Sequence, residues 1–319
     1  MKNRCIFGGG DSDGLIGIAT ILNVVDDAFF SFTTPHSLPD TISEHVIAPG
    51  GEIYVVGLAV DVTRVAYLKE VMEIKSSFES FFFDYHNLPE NVFANNLPFT
   101  KVYIDEKVSG CENAYRNFQS TLNVIFPAIA SINSGFQDTA MIHTARETYG
   151  GRLDENATIL KFGLAWKMGD NRFKWKLVND FRDGKYPDTI IELKRRYGLG
   201  LKKFDKLKEV ADDRKKDLSH LCYGYFPDLR VGFTDMLAEY LAESNGKKAG
   251  LCVLQITKPS QKINVICNDE ATNIGQVVYS VALECEGIGW GSKSSAGAKI
   301  SSGNTREFIE SLNQRLSEY

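Results

Sequence analysis

The chain has 319 residues, of which 43% are hydrophobic and 24% charged, with 36 basic against 41 acidic side chains and a formal charge of −5. This length holds two ordinary domains, each with enough apolar residues to build a core. The mild acidity excludes a general polyanion binder while leaving room for a local basic surface, and no apolar run approaches the ~20 residues that a membrane-spanning helix needs. Six cysteines, at positions 5, 111, 222, 252, 267 and 285, never fall in a Cys-x-x-Cys spacing. That argues against structural zinc and against a disulfide framework, and points to reduced thiols in a cytoplasmic protein. Met1-Lys2-Asn3-Arg4 runs into a strand and does not resemble a signal peptide.

Cys5-Ile6-Phe7 predicts a first strand, Gly8-Gly9-Gly10 a tight turn at its end, and residues 15–25 a buried helix. Residues 29–33 read as a second strand. Residues 53–60 form a continuous apolar run of the kind buried on both faces of a parallel sheet, and end at Asp61. Thr63 is the expected N-cap of a helix running to about residue 76. Phe81-Phe82-Phe83 is a further buried strand, leading into Asp84-Tyr85-His86-Asn87. Residues 101–104 are strand-like, and Ser109 caps a helix to about residue 122. Residues 126–132 read as another apolar strand, with Asp138 shortly after it. The alternation predicts an α/β fold with a doubly wound parallel sheet.

Residues 158–167 and 173–181 look helical. Residues 189–218 carry their charges at helical spacing and read as a solvated connecting helix. The predicted organisation is a first domain at residues 1–187, a helical linker at 188–224 and a smaller C-terminal α/β domain at 225–319. The last is expected to contain helices at 235–244 and 272–285, strands at 251–257 and 263–267, and a glycine- and serine-rich loop at 287–297.

Asp11, Asp13, Asp61 and Asp138 follow predicted strands, and His86 ends another. Each alone is most simply a helix cap or turn former. Five such residues at the mouth of one sheet, where open α/β folds keep their sites, point instead to hard divalent cations. Asp61 would then bridge two ions while the other aspartates hold one each. Such a pair activates water and stabilises a phosphoryl oxyanion.

On these residues the chain resembles the DHH phosphoesterase superfamily, a group that includes RecJ-type exonucleases, oligoribonucleases and cyclic-dinucleotide phosphodiesterases. The resemblance rests on an ordered set: Asp11-Ser12-Asp13-Gly14, Val60-Asp61-Val62, Asp84-Tyr85-His86-Asn87, Val108-Ser109-Gly110-Cys111-Glu112, Gln137-Asp138-Thr139, and the C-terminal loop Gly291-Ser292-Lys293-Ser294-Ser295-Ala296-Gly297. It implies a five-stranded parallel sheet joined through a helical linker to a DHH-associated C-terminal domain. It also implies Mn²⁺ or Mg²⁺, in one or two ions, held by Asp11, Asp13, Asp61 and Asp138. Asp61 and His86 would be catalytic. Substrate would meet His86, Gly291, Ser292, Lys293, Ser294 and Ser295. The implied activity is that of a metal-dependent phosphodiesterase or exonuclease on short or single-stranded nucleic acid, with no membrane involved, and the implied protein partners belong to replication or repair.

The departures carry equal weight. The family's metal-binding His ahead of Asp-x-Asp is absent, because Phe7-Gly8-Gly9-Gly10 stands there. The first His of the signature is Tyr85, a phenol and a poor ligand for Mn²⁺ or Mg²⁺. The substrate-binding His of the C-terminal loop is Ser292, with Lys293 beside it. Two expectations follow. Either oxygen ligands alone hold a weak metal and the chain is a phosphoesterase, or the site is silent and the fold persists as a binding subunit. The inactive subunit of the eukaryotic replicative helicase has a similar Asp-x-His signature. His36, placed after the second predicted strand, is the best candidate among His36, His45 and His143 to replace a lost ligand. Trp290 is a candidate stacking platform for a nucleobase. Trp166 and Trp175 are expected in core or interface. Arg182, Lys185, Lys202 and Lys203 are candidates to line a basic interdomain groove, with solvated surface the default expectation.

Overall fold

In the computed structural model, residues 3–45, 50–88, 92–227, 229, 231–257, 259–269 and 271–319 are described. The chain divides into two compact units, Met1–Tyr197 and Gly198–Tyr319. In the first, β1 (Asn3–Gly8), α1 (Ser12–Leu22), β2 (Phe29–Phe32), α2 (Leu38–His45), β3 (Gly51–Val56), α3 (Val65–Ile74), β4 (Phe78–Asp84) and β5 (Lys101–Ile104) precede a run of helices. These are α4 (Gly110–Phe118), α5 (Ile125–Asn133), α6 (Ala140–Tyr149), α7 (Gly151–Trp166) and α8 (Asn171–Arg182). Helix α9 (Ile191–Arg214) begins in the first unit and continues into the second.

The five strands form one parallel sheet in the order β2-β1-β3-β4-β5. Its strands are apolar on both sides because both faces are covered. Ile6, Tyr54, Val56, Phe81 and Phe83 face a core shared with α1, α4, α5, α7 and α8. Cys5, Phe7, Ile53, Val55 and Phe82 face a second core with α2 and α3. Every residue of α1 is buried, since α4, α5 and α8 surround it on the sheet. This is why its sequence is apolar on all sides rather than striped.

Three sequence expectations for the first unit are corrected. Residues 126–132 are not a strand but the body of α5, whose residues Ile125–Ser131 are all buried against other helices. A short apolar run cannot by itself separate a buried strand from a buried helix. Strand β3 ends at Val56, not at residue 60, because Gly57 takes a left-handed conformation (φ +62°) that turns the chain, its N–H making the last bond to Phe83 O of β4. The helix cap is Asp61, not Thr63: Asp61 caps a 3₁₀ turn, Val62–Arg64, that leads into α3.

The second unit holds β6 (Lys216–Asp217), β7 (Leu221–Tyr225), α10 (Thr234–Ser244), β8 (Ala249–Thr257), β9 (Ser260–Cys267), α11 (Ile274–Glu284), β10 (Ile288–Gly291), β11 (Ser295–Ser301) and α12 (Thr305–Arg315). Its six strands form a mixed sheet, β10-β11-β9-β8-β7-β6, in which only β7 and β8 are parallel. One face carries α11 and α12, and α10 covers β7, β8 and β9 on the other. The segment expected as a loop at 287–297 is instead the β10–β11 hairpin. Among the described residues, no helix is long and apolar enough to cross a membrane, and all six cysteines are buried and free.

Candidate functional site

The carboxyl end of the first sheet collects the acidic residues. Asp11 is the N-cap of α1, its backbone extended (φ −98°, ψ −171°), and its Oδ1 accepts the Gly14 N–H at 2.9 Å. Asp13, two residues further into the helix, is 3% exposed. Its Oδ1 accepts the Cys111 N–H at 2.8 Å and its Oδ2 the Gly110 N–H at 3.1 Å. The carboxylate therefore docks the start of α1 on the amino end of α4, where orphan N–H groups and the helix dipole favour an anion. Burial, and then the Asp11 charge, still push the Asp13 carboxyl up to about 7, and the Cys111 N–H only partly opposes them.

Asp84 ends β4 and is 1% exposed. It accepts the His86 backbone N–H at 3.3 Å and the His86 Nδ1–H at 2.8 Å. Burial alone would lower the His86 imidazole, but Asp84, and after it Asp13 and Asp11, outweigh burial and raise it. Tyr85 stacks on His86 with ring centroids 4.2 Å apart and meets Phe136 edge-on. Burial, then the charges of Asp13, Asp11 and Asp84, hold its phenol well above the ordinary value, so it faces the acids as a neutral group.

The structure thus gathers Asp11, Asp13, Asp84, Tyr85 and His86. Asp61 is engaged elsewhere: Oδ1 accepts the Thr63 N–H (2.9 Å) and hydroxyl (2.7 Å), and Oδ2 takes the Nδ1–H of His36 at 2.9 Å. Burial would raise Asp61, but the Thr63 and His36 hydrogen bonds prevail and lower it. Asp138 is 86% exposed and paired with His143; the helix ahead of it aims it outward. The inward member of Gln137-Asp138-Thr139 is Thr139, which caps α6 and donates to Glu112 Oε2 at 2.8 Å. His45 lies against Phe29, Trp175 stacks on Phe30, Arg182 pairs with Asp183, and Lys185 pairs with Asp180.

A hard divalent cation needs several free oxygen ligands. Here both oxygens of Asp13, Asp61 and Asp84 accept hydrogen bonds from the chain itself. Among the described residues, no three His, Cys, Asp or Glu are grouped to hold a metal ion. Tyr85, a neutral phenol set among these acids, offers Mn²⁺ or Mg²⁺ no good ligand.

Two groups near this site escape the sequence reading. Glu112 is fully buried and accepts from Arg116, Ser131 (2.8 Å) and Thr139. Removing its counter-charge leaves a buried, unpaired carboxylate. Arg116→Met should therefore lower stability by about 3 kcal/mol in urea unfolding, and a loss below ~1 kcal/mol would contradict that role. The other is Lys174, 5% exposed on α8. A Cβ on Gly10 would collide with its Nζ. The available signal was its phase: it precedes Leu177 and Val178 by three and four residues, on the apolar stripe of α8.

In the second unit, the hairpin places Trp290 opposite Gly297 and Ile288 opposite Lys299. Gly297 and Lys299 in turn face Asn264 and Lys262 of β9. Residues two apart share a face, so Ile288, Trp290, Lys299 and Lys262 line one strip, on β9–β11. The Trp290 ring lies on Gly297, where a Cβ would come within 2.6 Å of it, and is 38% exposed. Gly291, Ser292, Lys293, Ser294 and Ser295 form the hairpin turn. Ser292 N–H donates to Ser295 O at 2.7 Å, while the carbonyls of Lys293 and Ser292 accept the N–H groups of Ile274 and Gly275 at 3.1 and 2.9 Å. The turn thus caps α11, and the exposed Lys293 and Ser294 side chains remain at its tip.

No protein-family model and no curated protein matches the sequence. Solved structures do match over nearly its whole length. A DHH-domain protein described as a member of a family of ribosomal proteins superposes with a TM-score of 0.69 at 12% identity, covering 98% of this chain and 86% of that one. RecJ from Thermus thermophilus, in complex with Mn²⁺, gives 0.67 at 15% identity, with 99% of this chain on 52% of that one. The pGpG-specific phosphodiesterase PggH from Vibrio cholerae gives 0.55 at 12% identity and 99% coverage of both. This chain has the fold of DHH-domain proteins, a five-stranded parallel sheet followed by a mixed six-stranded one.

Proposed function

We propose that this DHH-fold chain binds single-stranded nucleic acid through its second unit and does not hydrolyse it. The observation that carries the first half is the open strip of Ile288, Trp290, Lys299 and Lys262. An aromatic ring seated flat on a glycine gives a base a stacking surface, and flanking ammonium groups meet the phosphates. Lys293 at the turn extends the positive edge. The second half rests on the carboxylates of Asp13, Asp61 and Asp84, whose oxygens already accept from the chain's own N–H and imidazole groups, and on the neutral Tyr85 phenol among the acids. The fold is shared with an exonuclease RecJ bound to manganese, and that likeness supports nucleic acid as the ligand class. The alternative is a metal-dependent phosphodiesterase or exonuclease working through Asp61 and His86.

The test is a labelled short single-stranded DNA and its RNA counterpart, incubated with Mn²⁺, Mg²⁺ or EDTA, with turnover and binding read in parallel. Binding should persist in EDTA and no mononucleotide should be released with either cation. Trp290→Ala should weaken binding by about tenfold or more, the equivalent of one lost stack of ~1–3 kcal/mol. Mn²⁺-dependent release of mononucleotides that disappears in Asp61→Ala would overturn the reading in favour of the nuclease.

A further inference from the structure

We infer that Lys174 is the resident cation of the acidic cluster at the mouth of β1, its ammonium balancing the Asp11 side of the cluster without any bound ion. This rests on the reading of that site as one not organised for metal. Asp11, Asp13 and Asp84 converge there, and the last two are almost fully buried. Clustered carboxylates repel one another unless a positive charge joins them. Among the described residues, no arginine or lysine forms a hydrogen bond or ion pair with any of the three. Their donors are the N–H groups of Gly14, Gly110, Cys111 and His86 and the His86 imidazole.

Lys174 is the lysine the fold places there. It is almost fully withdrawn from solvent, and among the described residues its ammonium forms no hydrogen bond or ion pair, while its backbone N–H donates to Asp170 O. Its Nζ stands against Gly10, where an added Cβ would come within 2.4 Å of it, and a Cβ on the adjacent Gly9 would lie 3.1 Å from Asp11 Oδ1. The Phe32 ring, 5.9 Å from Nζ, walls the other side. Burial lowers the ammonium's proton affinity, and the carboxylates of Asp11 and Asp170 oppose that. Asp170 already has a partner, Arg196 Nη2 at 2.7 Å, and caps α8. Asp11 is therefore the charge that Lys174 has to answer. A lysine that merely rests its stem on apolar surface with its head in water would be indifferent to Asp11.

Thermal unfolding in EDTA of the wild type, Lys174→Met, Asp11→Asn and the double variant decides between these. Asparagine caps a helix as well as aspartate, so Asp11→Asn removes the charge and keeps the cap. Lys174→Met should lower the midpoint by several degrees, and adding Asp11→Asn should recover at least half of that loss. Lys176→Met, on the exposed side of the same helix, should change nothing. If Lys174→Met does not fold, recovery of folding in the double variant is the expected result. A Lys174→Met midpoint equal to wild type, a double variant in which the two losses add, or failure of both to fold would overturn the assignment. So would a rise in the wild-type midpoint on adding Mn²⁺. The EDTA cycle involves no nucleic acid, so it can fail while binding stands, and binding can fail while the cycle stands.

Discussion

Gly14→Ala should leave the first unit unfolded or close to it. A Cβ at this position would overlap the backbone oxygen and nitrogen of Gly9. Overpacking against side chains costs about 1–3 kcal/mol because rotamers can give way. Here the obstacle is main chain, and relief requires opening the β1–α1 turn. That would carry Asp11 off its cap and Asp13 off Gly110 and Cys111. A cost of about 3 kcal/mol or more is expected, a large part of the ~5–15 kcal/mol that stabilises a domain. Urea unfolding followed by circular dichroism measures it. Gly169→Ala, where an added Cβ meets nothing within 4 Å, is the control. Equal midpoints for the two variants would contradict the packing argument.

The second large effect is a dependence on pH that runs opposite to ordinary acid denaturation. Asp13 titrates at about 7 in the fold because burial and then Asp11 disfavour its charge, against ~4 in an unfolded chain. Between those values the folded state holds a proton that the unfolded chain has released, so stability falls as pH rises through that window. Three pH units correspond to roughly 4 kcal/mol as an upper figure. His86 works in the same direction. Its raised value contributes stability that is complete below ~6.5 and is lost as pH rises through the folded value. The opposite sign comes from Asp188, lowered by Arg152, and from Glu192, lowered to about 2 by Arg195 and Arg196. Their contributions are present above the usual carboxylate range and disappear as pH falls below it. Stability should therefore peak near pH 5 and decline toward pH 8, and Asp13→Asn should flatten the decline. Urea midpoints at pH 5 and pH 8 check it, and equal wild-type midpoints would show that Asp13 is not held protonated.

The parts of this fold that could be read from sequence are those written in local chemistry. Asp11 and Ser109 precede apolar runs and cap α1 and α4. The strands β1, β4 and β5 are bounded by turn residues and acids. Residues 126–132 could not be read in the same way, because a helix buried on every side shows no period, and the resulting strand assignment put Asp138 at the end of a strand that is a helix. The hairpin at 288–301 was hidden by its glycine and serine content, although Ile288, Trp290 and Ala296, Ala298, Ile300 alternate as strands do. The convergence of Asp84 on Asp13, and of His36 on Asp61, is a property of the tertiary fold. So is the difference between Lys174 and Lys176, which share chemistry and helix and differ only in phase.

The cap that Ser292 and Lys293 place on α11 bears on how this surface would meet the proposed ligand. Their carbonyls hold the N–H groups of Gly275 and Ile274, and the Ser292–Ser295 bond closes the turn. The hairpin is thereby fastened to a helix whose inner face is packed in the unit's core. The conformational entropy of Trp290's setting is given up when the chain folds, not when a ligand arrives. Free and bound states should then share one hairpin geometry, and association needs to order only the incoming strand.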